Sequence, residues 1–354
     1  MGGNALKKCI TRRYSHKEYV ALASLITYQL KNLFPDCRFE IIKAYHEKES
    51  FGDMDIIIDS TNLPVDWVEQ VVQEFEPAET YKNSNVLSFE HREFQIDLIV
   101  TPACKYQTSL DYFAYNDLGN LLGRVAYRMG LKLGHDGLSY NWRDGTHLYK
   151  SAVLLTDWKD ILPVLGYDYE IYAQGFDTLE DIFKFVVTSP YFCKDIFMLH
   201  NRNHISRIRD MKRKTYMEFL KWLETYEDTA VQKINAGWVE RNKNTVGKNC
   251  WLPQLFATIP GFKSVYEQVE KEYQQHLLFK ARYNGDLISV WTGFKGKELG
   301  HFMRWINEKY GGKEKVKRDI LKLNPVLIER WVMHWKFLYY TEVKLNGLGT
   351  EVRD

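Results

Sequence analysis

Three aspartates in two apolar runs carry the chemistry of this sequence. In Gly52-Asp53-Met54-Asp55-Ile56-Ile57-Ile58, two acids stand two residues apart at the mouth of an apolar stretch. An extended chain points alternate side chains to opposite faces, so Asp53 and Asp55 share one face. Gly52 suits a tight entry into that strand. Two carboxylates side by side repel each other unless a cation lies between them, and hard divalent cations prefer oxygen ligands. The same spelling also suits a solvated turn followed by a strand, and this segment alone does not separate the two. Phe94-Gln95-Ile96-Asp97-Leu98-Ile99-Val100 adds an aspartate inside a second apolar run. A carboxylate there is costly without a partner. If the two strands are neighbours, the three acids meet. Such a set holds two divalent cations, Mg²⁺ or Mn²⁺, roughly 3.5–4 Å apart, as in phosphoryl and nucleotidyl transfer. One cation would lower the pKa of an attacking hydroxyl, with Asp97 nearest to it. The other would hold a triphosphate and ease departure of pyrophosphate. The alternative is an Asp97 satisfied by an arginine or a backbone N–H.

The elements that must position these acids are legible around them. Ser15-His16-Lys17-Glu18 is a capping box ahead of a helix reaching about Phe34, with Tyr19, Leu22, Leu25, Ile26 and Leu30 on one face. Arg38 to Ala44 reads as a strand, and Met54 to Asp59 as a stronger one. Asn62 to Phe75 reads as a helix. Asn85 to Glu90 and Glu93 to Val100 read as a hairpin turning at His91-Arg92. Two strands, a helix and a hairpin imply a small mixed sheet with helices against one face. Beyond Pro102 the spacing predicts one long helical region from Thr108 to Gly130, a turn-rich stretch from Gly134 to Gly145, and mostly amphipathic helix from Tyr149 onward. The fold class expected is therefore α+β.

Composition narrows the class further. The chain has 354 residues, 45% of them hydrophobic and 27% charged, which excludes disordered, collagen-like and fibrous proteins. No apolar stretch approaches the roughly 20 residues of a membrane helix, and the first residues show no apolar signal region. Five scattered cysteines without a C-x-x-C pair argue against a disulfide framework or a zinc ribbon and favour a reducing, cytoplasmic setting. The formal net charge is only +2, so the placement of basic residues says more than their sum.

Gly52-Asp53-Met54-Asp55 with Gln95-Ile96-Asp97 resembles the polymerase-beta-type nucleotidyltransferases. The likeness continues through Tyr112-Phe113-Ala114-Tyr115-Asn116-Asp117-Leu118-Gly119-Asn120-Leu121-Leu122-Gly123-Arg124, which is similar to the DNA polymerase X family. The resemblance implies that Tyr112 and Phe113 lie under the sugar of an incoming nucleotide. It places Asp117 near the base, Asn120 on the base edge and Arg124 against a template strand. Gly130-Leu131-Lys132-Leu133, Gly137-Leu138-Ser139-Tyr140 and Thr178 to Phe183 extend it, so it covers about residues 38 to 190. Two departures stand out. Ile42 and Lys43 occupy the place of the family's Gly-Ser phosphate motif, and His46 that of a phosphate-gripping arginine, leaving Lys43, His46 or Lys48 to supply the charge. Tyr115-Asn116 replaces a Gly-Ser turn. With few residues before Arg38, the small lyase domain of some repair polymerases is not expected here.

Further on, Arg202, Arg207, Arg209, Lys212, Arg213 and Lys214 form a basic cluster suited to nucleic-acid phosphates or to a solvated helix face. Asn284 to Ile288 with Gly293 to Gly300 resembles the tail of CCA-adding enzymes and bacterial poly(A) polymerases, where a helix–turn–helix unit helps bind RNA. Trp291, Trp305, Trp331 and Trp335 read as helix-packing residues. Three regions are expected: a nucleotidyltransferase palm with its N-terminal helix at 1–105, a helical and turn-rich nucleotide-binding, thumb-like part at 106–200, and a helical C-terminal part at 201–354. The implied activity adds a nucleoside monophosphate from a (d)NTP to a DNA or RNA 3′-hydroxyl, in DNA repair or in tRNA processing. The alternatives are RNA or tRNA 3′-end addition, nucleotidylation of a protein or small molecule, and a non-catalytic nucleic-acid-binding module. No membrane partner is expected.

Overall fold

The computed structural model describes residues 5–226 and 248–344. Ser15 opens the first helix, α1 (His16–Leu33), by a complete capping box: its hydroxyl accepts the Glu18 N–H while the Glu18 carboxylate accepts the Ser15 N–H. Leu22, Ile26 and Leu30 on its inner face are buried against a five-stranded sheet. That sheet comprises β2 (Phe39–Ile41), β4 (Asp53–Asp59), β5 (Thr80–Asn83), β6 (Val86–His91) and β7 (Phe94–Thr101), in the order β2-β4-β7-β6-β5. Only β4 and β7 run parallel; the other neighbours are antiparallel. The chain reaches β7 from β4 through α2 (Trp67–Phe75), β5 and β6. A two-stranded ribbon of β1 (Tyr14–Ser15) and β3 (Ser50–Phe51) precedes β4.

The two faces of the sheet differ, as its alternation requires. Met54, Ile56, Ile58, Ile96 and Leu98 point into the main core with α1 and α2. Ile57 and Ile99 point the other way and meet Tyr106, Leu110 and Phe113 of α3 (Tyr106–Phe113). Asp53, Asp55 and Asp97 share the parity of Ile57 and Ile99, so they lie on the second face. Arg92 and Glu93 turn the β6–β7 hairpin with positive φ, one residue later than the spacing predicts.

The mixed α+β class holds, with three local corrections. First, the expected continuous helix from Thr108 to Gly130 is broken. It ends at Phe113 and restarts as α4 (Leu118–Arg128), because Tyr115 and Asn116 both take left-handed backbone, φ +56° and +60°. Gly119 lets the two pieces pack: a Cβ there would lie 2.2 Å from the Tyr112 carbonyl oxygen. Second, the turn-rich stretch and the start of the expected helical run form an antiparallel sheet, β8 (Leu131–Gly134), β9 (Gly137–Asp144) and β10 (His147–Leu155). Gly137, at φ +111°, lets the Leu155 carbonyl approach where a Cβ would meet it at 2.3 Å. Third, α2 begins only at Trp67, with Pro64 in the turn before it.

The chain then continues through α5 (Trp158–Val164), α6 (Tyr169–Gln174), α7 (Leu179–Val187), α8 (His204–Met211), α9 (Lys214–Thr225), α10 (Leu252–Thr258), α11 (Phe262–Arg282), α12 (Gly285–Thr292), α13 (Gly296–Tyr310), α14 (Lys313–Ile320) and α15 (Pro325–Tyr339). It forms two compact units: residues 1–141 with 151–262, and residues 142–150 with 263–354. The second has its own core of Phe279, Tyr283, Phe302, Trp305 and Ile328, with Trp291, Trp331 and Trp335 packed against it, so these tryptophans are packing residues. Asn284 caps α12, and Gly293 ends it in the left-handed region ahead of α13. Among the described residues no helix is long and apolar enough to cross a membrane.

Candidate active site

Parallel pairing of β4 with β7 sets Asp55 directly across from Asp97 and Asp53 across from Gln95. Each of the three aspartates offers a carboxylate oxygen within 4.8 Å of the others, and all three are half-buried. The convergence expected from the two apolar runs is therefore present, at the register that brings the acids together. The environment of Asp55 and Asp97 opposes their ionisation in the absence of a cation. Burial, then the Asp53 and Asp97 charges, push Asp55 well above the ordinary carboxylate range. Burial raises Asp97 to about 6, against the pull of hydrogen bonds from Ser88 and Gln95.

Those two polar partners complete the setting of Asp97. Gln95, two residues earlier on the same face and 2% exposed, donates from Nε2 to both Asp97 oxygens at 3.0 Å. Ser88, buried on β6, faces Asp97 across the other strand boundary. Neither residue was a candidate from sequence. The parity of Gln95 relative to Asp97 was the available signal for the first; Ser88 needed the β6–β7 register.

Lys48 lies near Asp53 and Asp55. Its Nζ donates to Asn116 Oδ1 at 3.1 Å and sits 4.6 Å from the centre of the Phe51 ring. Burial lowers its pKa, and the Asp53 and Asp55 charges oppose that shift. The left-handed Tyr115-Asn116 pair thus holds the acceptor for a lysine beside the acids. Tyr115 is fixed by its N–H to the Lys43 carbonyl, 2.8 Å, and by edge-on contacts with Tyr172 and Phe176. Tyr19 stacks on Phe51 at 3.7 Å; burial and then the Asp55 charge raise its pKa.

The remaining candidates divide. Gly52 links β3 to β4 without left-handed backbone. Lys43 lines a cavity of about 140 Å³ with Glu40, Asp111, Tyr115, Tyr169 and Tyr172, which none of the three aspartates lines. His46 is exposed, and its Nδ1 pairs with Asp177 at 2.7 Å. Tyr112 and Phe113 meet edge to face at 5.2 Å, and Phe113 stacks on His135. The Asn120 Nδ2 is buried with no hydrogen-bond partner among the described residues. Asp117 is ion-paired with Arg213, so these two hold α4 to the start of α9. Arg124 directs Nε and Nη2 to the Ile196 carbonyl, at 3.1 and 2.6 Å. Within the basic cluster, Arg202 is buried against Asp210, 2.6 Å, and belongs to the core rather than to a surface. Arg209 also reaches Asp210, at 3.3 Å, while its side chain is half exposed. Arg207, Lys212 and Lys214 are exposed. No protein-family model and no curated protein matches this chain.

Proposed function

We propose that this chain is a divalent-metal-dependent nucleotidyltransferase that moves a nucleoside monophosphate from a (d)NTP to the 3′-hydroxyl of a nucleic acid. One observation carries the reading: Asp55 and Asp97 face each other on adjacent parallel strands, with Asp53 on the same face and all three within 4.8 Å. Half-buried acids at that spacing are stabilised when divalent cations replace protons between them, and the donor set is all oxygen, as Mg²⁺ and Mn²⁺ prefer. Such ions supply positive charge to a phosphoryl group in transfer and ease deprotonation of the attacking hydroxyl. Asp53, Asp55 and Asp97 hold them. Lys48, held by Asn116, offers a cation beside the acids in a chain where Ile42 and Lys43 occupy the place of the family's Gly-Ser motif. Asn120 Nδ2 is buried and without a hydrogen-bond partner among the described residues, so it would meet a base edge only after local opening.

A second reading keeps the chemistry and changes the acceptor. Arg124, the template-contact position in the resemblance, is committed to the Ile196 carbonyl. That favours addition without a template to an RNA or tRNA end. The test is a panel of labelled DNA, RNA and tRNA primers, each nucleoside triphosphate, and Mg²⁺ or Mn²⁺. Metal-dependent extension that disappears in Asp97→Asn supports the proposal, and the extended primer distinguishes the two readings. No extension of any primer with any nucleotide overturns both.

A further inference from the structure

The segment before α1 lies along the hairpin that carries Asp97, and the hydrogen bonds between them form one connected path. Glu79, at the entry to β5, accepts the backbone N–H groups of Lys7, Lys8 and Cys9 at 2.6–3.0 Å. These bonds, Lys7's foremost, draw its carboxyl down to about 2. Just before this clamp, the Ala5 N–H donates to Gln95 Oε1 at 2.9 Å. Further along, the Arg12 N–H reaches the Glu93 carbonyl at 2.8 Å, the Tyr14 hydroxyl reaches the Arg92 carbonyl, and β1 pairs with β3 just ahead of Asp53.

The amide of Gln95 has two ends with opposite needs. Its oxygen faces an N–H donor, and its nitrogen faces both oxygens of Asp97. Turned over, it would set an oxygen against a carboxylate and an NH₂ against an N–H. Ala5 and Asp97 therefore demand the same orientation, and Glu79 holds the backbone that carries Ala5. The geometry points to residues 5–15 acting as a brace that positions Asp97 for metal binding, with Gln95 as the positioning residue and Glu79 as its anchor. This rests on the metal-site reading above and goes beyond it by assigning a role to the segment before α1.

The test reads metal affinity separately from transfer. In the full chain, Glu79→Ala weakens Mn²⁺ binding, followed by the electron paramagnetic resonance signal of free Mn²⁺, by about tenfold, the usual effect of removing an outer-shell support. It lowers kcat while leaving KM for the nucleotide unchanged. Glu79→Gln, which keeps one acceptor oxygen, recovers part of the loss. Gln95→Leu matches the loss of Glu79→Ala, and combining the two adds nothing more. Parental Mn²⁺ affinity in folded Glu79→Ala overturns the brace, as do additive losses in the double variant. If Glu79→Ala does not fold, Glu79→Gln is judged by the same affinities, a parental value again counting against the brace. A parent chain that binds Mn²⁺ through Asp97 yet extends no primer overturns the transferase reading and leaves the brace standing. A parent that binds no Mn²⁺ overturns both.

Discussion

Asp97 sits between opposite influences: burial favours its protonated form, while Gln95 and Ser88 hydrogen-bond its charged form. Burial prevails, so without metal the native carboxyl ionises near pH 6. An unfolded aspartate ionises near 4, so across roughly pH 4 to 6 the native state holds the additional proton and stability falls as pH rises. Asp97→Asn removes that dependence. The variant should be more stable than the parent at pH 7 by on the order of 2 kcal/mol in the presence of a chelator, while losing metal-dependent transfer. Urea denaturation from pH 4 to 7.5 checks this; parallel stability curves for parent and variant would show that burial of residue 97 carries no such penalty.

Between α3 and α4 the backbone does what a propensity pattern does not reveal. Tyr112 to Arg124 has helical spacing throughout, yet Tyr115 and Asn116 take the left-handed conformation and split it, and only a tertiary setting holds two such residues there. Gly119 is the visible condition for that break. Gly119→Ala should cost about 3 kcal/mol, because the new methyl meets the Tyr112 backbone rather than a movable side chain. Urea denaturation measures it, and a loss below about 0.5 kcal/mol, the size of an ordinary surface change, would mean that the helices separate freely. The helix at Ser15, the strands around Asp53 and Asp97 and their shared face were legible because capping chemistry and period-two alternation are local. The β8–β9–β10 sheet was not, because β10 is half-exposed or exposed along its whole length and lacks a clean alternation. Gln95 and Ser88 become site residues only through register, and the Ala5 bond joins residues 90 apart in sequence. Arg202 and Arg213 look like their exposed neighbours in sequence, yet Asp210 and Asp117 take them out of a phosphate-binding surface.

At the scale of the molecule, ligand binding and stability are linked. If the three acids hold Mn²⁺, ion at 100 times its dissociation constant should stabilise the native state by about 2.7 kcal/mol, and Asp53→Asn should abolish the gain. Thermal melts with and without Mn²⁺ decide it. If the basic cluster meets nucleic acid, it supplies a second linkage, to salt. Arg207, Lys212 and Lys214 remain exposed, whereas Arg202 is buried beside Asp210. Each phosphate contact releases counterions, so replacing one contacting cation by alanine should flatten the plot of log affinity against log salt by about 0.7 for a single strand. Arg207→Ala, Lys212→Ala and Lys214→Ala should therefore each weaken binding of a labelled single-stranded oligonucleotide, most at low salt, without moving the urea midpoint. Arg202→Ala should do the reverse. Among the described residues it leaves the buried Asp210 carboxylate with only its 3.3 Å contact to Arg209; it destabilises the fold by about 3 kcal/mol and leaves the salt slope unchanged. Fluorescence anisotropy between 50 and 200 mM salt (approximately the range over which such contacts are screened), read beside denaturation of the same variants, separates the two behaviours. A slope that survives loss of all three exposed cations would move the nucleic-acid contact to another face of the molecule.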